Sequence, residues 1–204
     1  TILLIGEGNF SFARSIASRL ESGTNIVATA LDSEAVVKEK YSADAEDHIK
    51  EFRRLGGTVM FGIDGTKLKT YKQLRGKRFS HIVFNFPHTG SGDKDEGRNI
   101  ILNQRLLLEF FNNVRELLTD GIAISDRPTK RGQVHVTLKS GKPYDMWKIT
   151  KLARQCGLIT LSAYPFKLTA YPGYEHRRTL GFKEGLSTDD NQEIRNKNPK
   201  VYVF

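Results

Sequence analysis

The sequence predicts an α/β domain built on a seven-stranded, mostly parallel sheet that ends in an antiparallel hairpin, with helices on both faces. Two observations carry this prediction. Short apolar segments alternate with segments of helical periodicity along most of the chain, which is typical of parallel strands joined by helices. The last two strand-like segments follow each other without a helix, and strands connected in this way pair antiparallel.

Each element rests on its own pattern. The apolar run at residues 2–5 ends in a glycine turn, and Ser11 is the predicted cap of the helix that follows. Residues 122–124 compete with residues 133–138 for the fifth strand. We favour the later run and assign residues 122–124 to an insertion, with the polar residues 125–132 between the two. The predicted strands are residues 2–5, 26–31, 58–61, 80–84, 133–138, 158–166 and 179–182, and the later helices are residues 33–55, 99–118 and 144–155.

Composition limits the class of protein. The 204 residues, 38% of them hydrophobic and 27% charged, fit one globular domain over residues 1–183, with residues 184–204 as a polar tail or edge segment. No apolar run approaches the ~20 residues of a membrane span. The chain opens on an apolar run without an initiator Met or a basic leader, so we expect a domain cut from a longer protein.

Charge and metal-ligand content point to partners. The net charge of +9 favours a polyanion such as RNA or DNA, although a merely basic protein has the same charge. Cys156 is the only cysteine, which excludes an internal disulfide and a cysteine-based zinc site. The five histidines show no metal-ligand spacing. We therefore expect no metal and no membrane partner, and we favour a monomer.

Polar and glycine residues follow three predicted strands, where open α/β sheets bind ligands. Asp32 lies near the spacing expected for a carboxylate that binds ribose hydroxyls, and Asp64 follows the third strand. A dinucleotide fingerprint requires a third glycine where this chain has Ser11, which disfavours NAD and favours S-adenosylmethionine. A simple tight turn is the competing interpretation. The predicted cofactor-binding residues are Gly6, Glu7, Gly8, Asn9, Phe10, Ser11, Asp32 and Asp64.

The fourth strand runs into Asn85-Phe86-Pro87-His88. This run resembles the Asn-Pro-Pro-aromatic motif of amino methyltransferases, in which the Asn side chain and a carbonyl hold a planar nitrogen. A strand-ending proline turn with a partly buried histidine is the alternative. These four residues are the predicted catalytic set.

Several unusual runs occur together in one order. The chain closely resembles the eukaryotic 25S ribosomal RNA uridine-N3 methyltransferase-like domain over about residues 2–182, with residues 125–132 as an apparent insertion. The runs that carry the resemblance are Leu3 to Phe12, Ala30 to Asp32, Asn85 to His88, His135 to Leu138, Pro143-Tyr144 with Trp147, and Tyr171 to Thr179.

The resemblance implies a Rossmann-like class I methyltransferase that uses S-adenosylmethionine on uridine N3 of ribosomal RNA, in the nucleolus. It implies that Asn85 orients the base and that Phe86 stacks on it. His88 is our candidate acceptor for the N3 proton, narrowly ahead of backbone carbonyls near Phe86 with water. Alternatives are a methyltransferase on another RNA or a protein, a non-catalytic RNA-binding module, and an NAD-dependent oxidoreductase.

A basic aromatic loop near the C-terminal end is the predicted RNA contact, because arginines bind phosphates and aromatic rings stack on unpaired bases. The alternative is a structured turn whose arginines pair with surface carboxylates. A second basic cluster, at residues 67–78, is interpreted as a solvated face. The predicted RNA-binding residues are Tyr171, Tyr174, His176, Arg177 and Arg178.

Overall fold

A computed structural model describes residues 1–121, 131–179 and 191–204. Its seven-stranded sheet has the order β3-β2-β1-β4-β5-β7-β6. β1 to β5 are parallel, and β7 is antiparallel to both of its neighbours. The strands are β1 Ile2–Ile5, β2 Ile26–Thr29, β3 Thr58–Met60, β4 His81–Asn85, β5 Gln133–Leu138, β6 Ser162–Pro165 and β7 Lys200–Val203.

Helices cover both faces of the sheet, as the alternation predicts. Side chains of one strand point alternately to the two faces. Leu4 accordingly packs in the core beside α1 and α2, whereas Leu3 and Ile5 pack in the core beside α3 and α4. The helices are α1 Ser11–Arg19, α2 Glu34–Arg54, α3 Glu96–Val114, α4 Ile149–Gln155 and α5 Gln192–Arg195, and 3₁₀ turns occupy Leu68–Thr70, Arg115–Leu117, Tyr144–Trp147 and Leu168–Ala170.

Two local predictions are corrected. Ser11 is the first residue of α1 rather than its cap, because Phe10 holds the capping position in a left-handed conformation with φ 60°. The single helix predicted over residues 144–155 is interrupted at Lys148, where φ is 53°. The fifth strand lies at Gln133–Leu138 as predicted, and the competing residues 122–124 fall outside the described residues.

The C-terminal end of the sheet differs from the predicted hairpin. We expected residues 179–182 to pair with β6, but Thr179 lies in a turn and residues 180–182 fall outside the described residues. The strand that pairs antiparallel with β6 is β7, which fits between β5 and β6. The expected tail at residues 184–204 thus supplies an interior strand, because alternating Val201 and Val203 bury their side chains in the sheet core.

Within the described ranges, no helix combines the length and apolarity that crossing a bilayer requires.

Candidate active site

Two clefts adjoin each other at the carboxyl ends of the strands. The first cleft has a volume of about 980 Å³ including its open mouth, and the ends of β1 to β4 line it. The second cleft, of about 1170 Å³, lies beyond the ends of β4 and β5. The two clefts share the lining residues Phe86, His88, His176, Arg177 and Thr179.

The glycine loop after β1 forms one wall of the first cleft. Gly6 has φ 69°, and a Cβ there would lie 2.6 Å from the Phe84 ring, so only glycine fits. The Glu7 carboxylate accepts a hydrogen bond from the Ala13 amide of α1 at 3.2 Å. Burial raises the pKa of Glu7 to about 7, and the Ala13 bond offsets part of this rise.

Asn9 and Ser11 fasten this loop to a distant part of the chain. The Asn9 Oδ1 accepts hydrogen bonds from the Ser11 amide and hydroxyl, and Asn9 Nδ2 donates to the Glu175 carboxylate. The Ser11 hydroxyl oxygen accepts a hydrogen bond from the Glu175 amide at 2.9 Å and lies 3.0 Å from the Glu175 carbonyl. Both residues line the first cleft, whereas Phe10 is fully buried against the Phe61 ring and does not.

Both predicted carboxylates reach the first cleft. Asp32 accepts a hydrogen bond from Lys40 Nζ at 2.8 Å, and the same ammonium group donates to the Thr179 carbonyl at 3.3 Å. Asp64 uses one carboxylate oxygen, Oδ1, to accept from the amide and the hydroxyl of Thr66. Its Oδ2 lies 3.7 Å from Lys67 Nζ.

An apolar surface lies beside the two carboxylates. Leu31 lines the first cleft with 58% of its surface exposed, and Ile63 and Phe84 line it nearby. A large exposed apolar side chain in a cleft with convergent polar groups is typical of a small-molecule site. The cleft therefore offers glycine backbone, two carboxylates and an apolar wall to one ligand.

Asn85, the last residue of β4, lines the first cleft next to the second. Its Oδ1 accepts a hydrogen bond from the Thr137 hydroxyl of the adjacent strand at 2.6 Å. Its Nδ2 is buried without a hydrogen-bond partner among the described residues. A buried donor without a partner costs free energy, so its retention in a cleft wall points to a ligand acceptor.

Phe86 turns the chain sharply after β4. Its backbone has φ 52°, and its amide donates to the Thr137 carbonyl at 2.8 Å. The ring meets the His176 ring edge-on, with centroids 4.7 Å apart. Pro87 lines the second cleft only.

His88 lines both clefts and has a defined tautomer. Its Nδ1 accepts a hydrogen bond from the Gly90 amide at 3.0 Å, so the neutral ring carries its proton on Nε2. Burial and the positive charge of Lys139 lower the pKa of His88, although Glu193 opposes them. The ring is therefore a neutral hydrogen-bond donor at Nε2.

A charged cluster, of which the sequence analysis named only Arg178, lines the second cleft. Lys139 is 9% exposed, and its ammonium group donates to the Glu193 carboxylate. Arg178 donates to the other oxygen of the same carboxylate at 2.9 Å. These two bonds outweigh the effect of burial and lower the pKa of Glu193 to about 2. Two cations thus share one anion.

Only part of this cluster left a signal in the sequence. Lys139 follows the fifth predicted strand directly, and a lysine at the carboxyl end of a buried strand is such a signal. Glu193 lies in the segment predicted as a tail, where no local pattern marks it.

The predicted RNA loop divides between core and cleft. Tyr171 stacks on Phe166 at 5.1 Å and lines neither cleft, and Tyr174 packs edge-on against Phe12. Burial and nearby cations, Lys139 foremost, lower the pKa of His176 to about 3.

The two loop arginines line the second cleft and are both ion-paired. Arg177 Nη2 lies 2.7 Å from the Glu175 carboxylate and 3.4 Å from that of Asp44. Arg178 pairs with Glu193. The described part of the chain contains no group of three or more His, Cys, Asp or Glu side chains arranged to hold a metal ion.

Comparisons with known proteins agree with this architecture. A family model described as "BMT5-like: rRNA (uridine-N3-)-methyltransferase BTM5-like" matches residues 3–178. A crystal structure of a mutant 16S rRNA (adenine(1408)-N(1))-methyltransferase from Catenulisporales acidiphilia superposes with a TM-score of 0.51 at 9% identity. This match covers 99% of this chain and 82% of the other, and it shows the shared Rossmann-like fold.

Two curated relatives match most of the chain. The 25S rRNA (uridine(2634)-N(3))-methyltransferase of Saccharomyces cerevisiae is 31% identical, and the match covers all of this chain and 72% of the yeast protein. Heavy metal-associated isoprenylated plant protein 41 of Arabidopsis thaliana is 38% identical over 88% of this chain, which spans only 33% of the plant protein. The chain belongs to the BMT5-like family of rRNA uridine-N3 methyltransferases.

Proposed function

We propose that this chain transfers a methyl group from S-adenosylmethionine to N3 of a uridine in large-subunit ribosomal RNA. The family and the yeast relative support the reaction. The observation that carries it here is the meeting of the two clefts at His88, beside Asn85. Asn85 Nδ2 has no hydrogen-bond partner among the described residues, and His88 Nε2 carries the proton of the neutral ring. The nucleolus, where large-subunit rRNA is made, is the proposed place of action.

The first cleft fits the cofactor. Asp32 is placed to hold the ribose hydroxyls, where it exchanges its bond to Lys40 for bonds to the ligand. Asp64 is placed to accept from the adenine amino group through Oδ2, where it exchanges its ion pair with Lys67 for a bond to the ligand. Exposed Leu31 supplies an apolar surface for the adenine ring. When bound there, S-adenosylmethionine supplies an electrophilic methyl group on a sulfonium.

The donors at the junction match the uracil edge. Uracil N3 is flanked by two carbonyl oxygens, and both are hydrogen-bond acceptors. Asn85 Nδ2 and His88 Nε2 are donors, so together they fit a base edge with an acceptor on each side of the reacting nitrogen. Cytosine places an amino group beside N3 and would leave one of these donors facing another donor.

The tautomer of His88 favours water as the acceptor of the N3 proton. A neutral His88 whose Nδ1 accepts from Gly90 has no free lone pair for that proton. We therefore assign His88 to binding a uracil carbonyl. The proton leaves through water, with backbone carbonyls near Phe86 holding the N3–H beforehand.

Calorimetry with S-adenosylhomocysteine and NADH, followed by nucleoside mass spectrometry of methylated large-subunit rRNA, tests this function. We expect binding of the adenosyl ligand alone and formation of N3-methyluridine. Binding of NADH alone would favour an oxidoreductase. RNA binding without any methylated nucleoside would favour a non-catalytic module, and a different methylated base would reject uridine as the substrate.

A further inference from the structure

The second cleft carries a charge imbalance that the proposed reaction leaves unexplained. The buried Lys139 and the partly exposed Arg178 share the single carboxylate of Glu193, so the three groups hold one net positive charge. A charged lysine that is only 9% exposed is costly to maintain unless it has a role.

The charged side chains that line the second cleft are three cations, Lys139, Arg177 and Arg178, and one anion, Glu193. Glu175 and Asp44, which pair with Arg177, do not line this cleft. Lys197 adds a further positive charge near Lys139, and Tyr144 lies under Lys139 Nζ with its ring centroid 5.9 Å away. His88 and His176 both have lowered pKa values, to which Lys139 contributes, so both rings are neutral near pH 7.

We infer that the second cleft binds the target uracil as its N3-deprotonated imidate, an inference that rests on the proposed function. The positive charges of Lys139 and Arg178 stabilise this anion, because together they exceed the negative charge of Glu193. The base lies beside Phe86, His88 and His176, the walls that the second cleft shares with the first. A positive charge near an acid favours the ionised form and lowers its pKa. This cluster thereby replaces a general base.

The step balances without any further reactant. The uracil imide loses its N3 proton to water, and the electron pair left on N3 forms the new bond to the methyl carbon. The bond between that carbon and sulfur breaks as its electron pair moves to sulfur. Uridine and the sulfonium cofactor give N3-methyluridine, the thioether and one proton in solution.

A base-pocket role and a purely structural role make different predictions for two substitutions. Lys139→Met removes the positive charge and should raise the N3 pKa of the bound base. Glu193→Gln removes the negative charge and should lower that pKa. A purely structural role would weaken the site in both variants and would move the N3 pKa in neither.

The probe is 5-fluorouridine monophosphate, whose ¹⁹F resonance shifts when N3 ionises. Titrated with pH in the presence of the protein and S-adenosylhomocysteine, the wild-type complex should show a lower N3 pKa than the free nucleotide. Lys139→Met should bring the N3 pKa of the bound nucleotide back toward that of the free nucleotide, and Glu193→Gln should lower it further. Lys151→Met, which removes an exposed lysine from α4, is the matched control and should leave it unchanged.

A second measurement uses methyl transfer to rRNA transcribed with uridine or with 5-fluorouridine. At pH 7, Lys139→Met should lose about tenfold in rate on uridine for each unit by which the N3 pKa rises. Fluorination or higher pH should restore most of this loss, because both increase the imidate fraction.

Four outcomes would overturn the inference. They are a probe that does not bind, a bound N3 pKa equal to the free value, a Lys139→Met rate that neither fluorination nor pH restores, and a Lys139→Met variant that weakens binding of the monophosphate but not of the nucleoside. The last of these would mean that the cluster binds a phosphate instead. If the wild-type protein forms N3-methyluridine but the N3 pKa of the bound base is unshifted, the inference is rejected and the proposed function stands. If no N3-methyluridine forms, the proposed function is rejected as well.

Discussion

The two clefts are assembled from different parts of the chain. The first cleft is built from residues at the ends of consecutive parallel strands, such as Gly6 after β1, Asp32 after β2 and Asn85 at the end of β4. The second cleft combines Lys139 after β5 with Glu193, which lies 54 residues further along the chain.

This difference separates two kinds of structural support. The first cleft depends mainly on the parallel sheet, which fixes every strand end at one edge, and only one of its sides is held by the bonds of Asn9 and Ser11 to Glu175. The second depends on bonds between distant segments. Asn191 accepts from the His176 amide and donates to the Tyr174 carbonyl, and Glu193 bonds to Arg178. We therefore expect changes in the first cleft to act on cofactor affinity and changes in the second to act on the RNA base.

The largest expected effect is at the boundary between the two clefts. Asn85→Asp keeps the shape of the side chain but replaces the free Nδ2 donor with an acceptor. Loss of one well-placed donor that stabilises charge developing on the reacting base costs about 10²–10³ in kcat. Single-turnover methylation should therefore fall by that factor, while S-adenosylhomocysteine affinity in calorimetry changes little. Near-normal turnover would remove Asn85 from the acceptor site.

The next effect belongs to the first cleft alone. Asp32→Asn should weaken the binding of S-adenosylhomocysteine by about 1.5–3 kcal/mol, or roughly 10- to 150-fold in Kd. The reason is that hydrogen bonds to a charged acceptor are removed. Asp47→Asn, which changes an exposed acid in α2, is the control and should leave Kd unchanged. Equal affinity of Asp32→Asn and wild type would place the ribose elsewhere.

The same contrast explains what the sequence reveals. Asp32 and Asn85 were predictable because a residue just past a buried strand must lie at the ligand edge of a parallel sheet. The final strand was not predictable, because Val201 and Val203 follow a polar stretch and their pairing with β5 and β6 is set by tertiary contacts.

The local sequence pattern also could not predict which side chains of the basic loop are buried in the core. Tyr171 is an aromatic residue of the kind that stacks on bases, but Phe166 already stacks on its ring and Phe12 packs against it at a tilt. Whether an aromatic side chain meets the core or the solvent depends on α1 and on the turn after β6, which no window of neighbouring residues contains.

A smaller effect concerns RNA affinity through the second cleft. Arg177→Ala with Arg178→Ala should lower the slope of log K against log salt by at most about 0.7 for each phosphate that the loop no longer binds. Because both arginines are ion-paired without RNA, part of the binding free energy is spent in breaking those pairs. Lys72→Ala with Lys77→Ala tests the exposed basic cluster at residues 67–78 for comparison. If this second pair lowers the slope more, the RNA path runs over that cluster.

The smallest effect is on the pH dependence of stability, to which Glu7 of the first cleft and His176, which both clefts share, contribute with opposite signs. Burial raises the pKa of Glu7 from 4.5 to about 7, so the folded protein holds this proton over a range where the unfolded chain has released it. The contribution of Glu7 to the free energy of unfolding therefore falls between pH 4.5 and 7 and is constant above.

His176, in contrast, has a folded pKa of about 3. Its contribution to the free energy of unfolding is complete above the unfolded pKa of 6.5 and is lost as pH falls through that window toward 3. Glu7 and His176 thus oppose each other between pH 4.5 and 6.5, and only a difference between variants isolates either one.

Denaturant unfolding of Glu7→Gln and wild type at about pH 5 and about pH 8 provides that difference. Relative to wild type, Glu7→Gln should gain about 1–2 kcal/mol on going to the higher pH, less than the full linkage value because the side chain is only partly buried. An unchanged difference between the two pH values would mean that Glu7 is ionised in the folded protein. The first cleft would then carry a further negative charge beside Asp32 and Asp64, and a cationic sulfonium would be favoured there over its neutral thioether product.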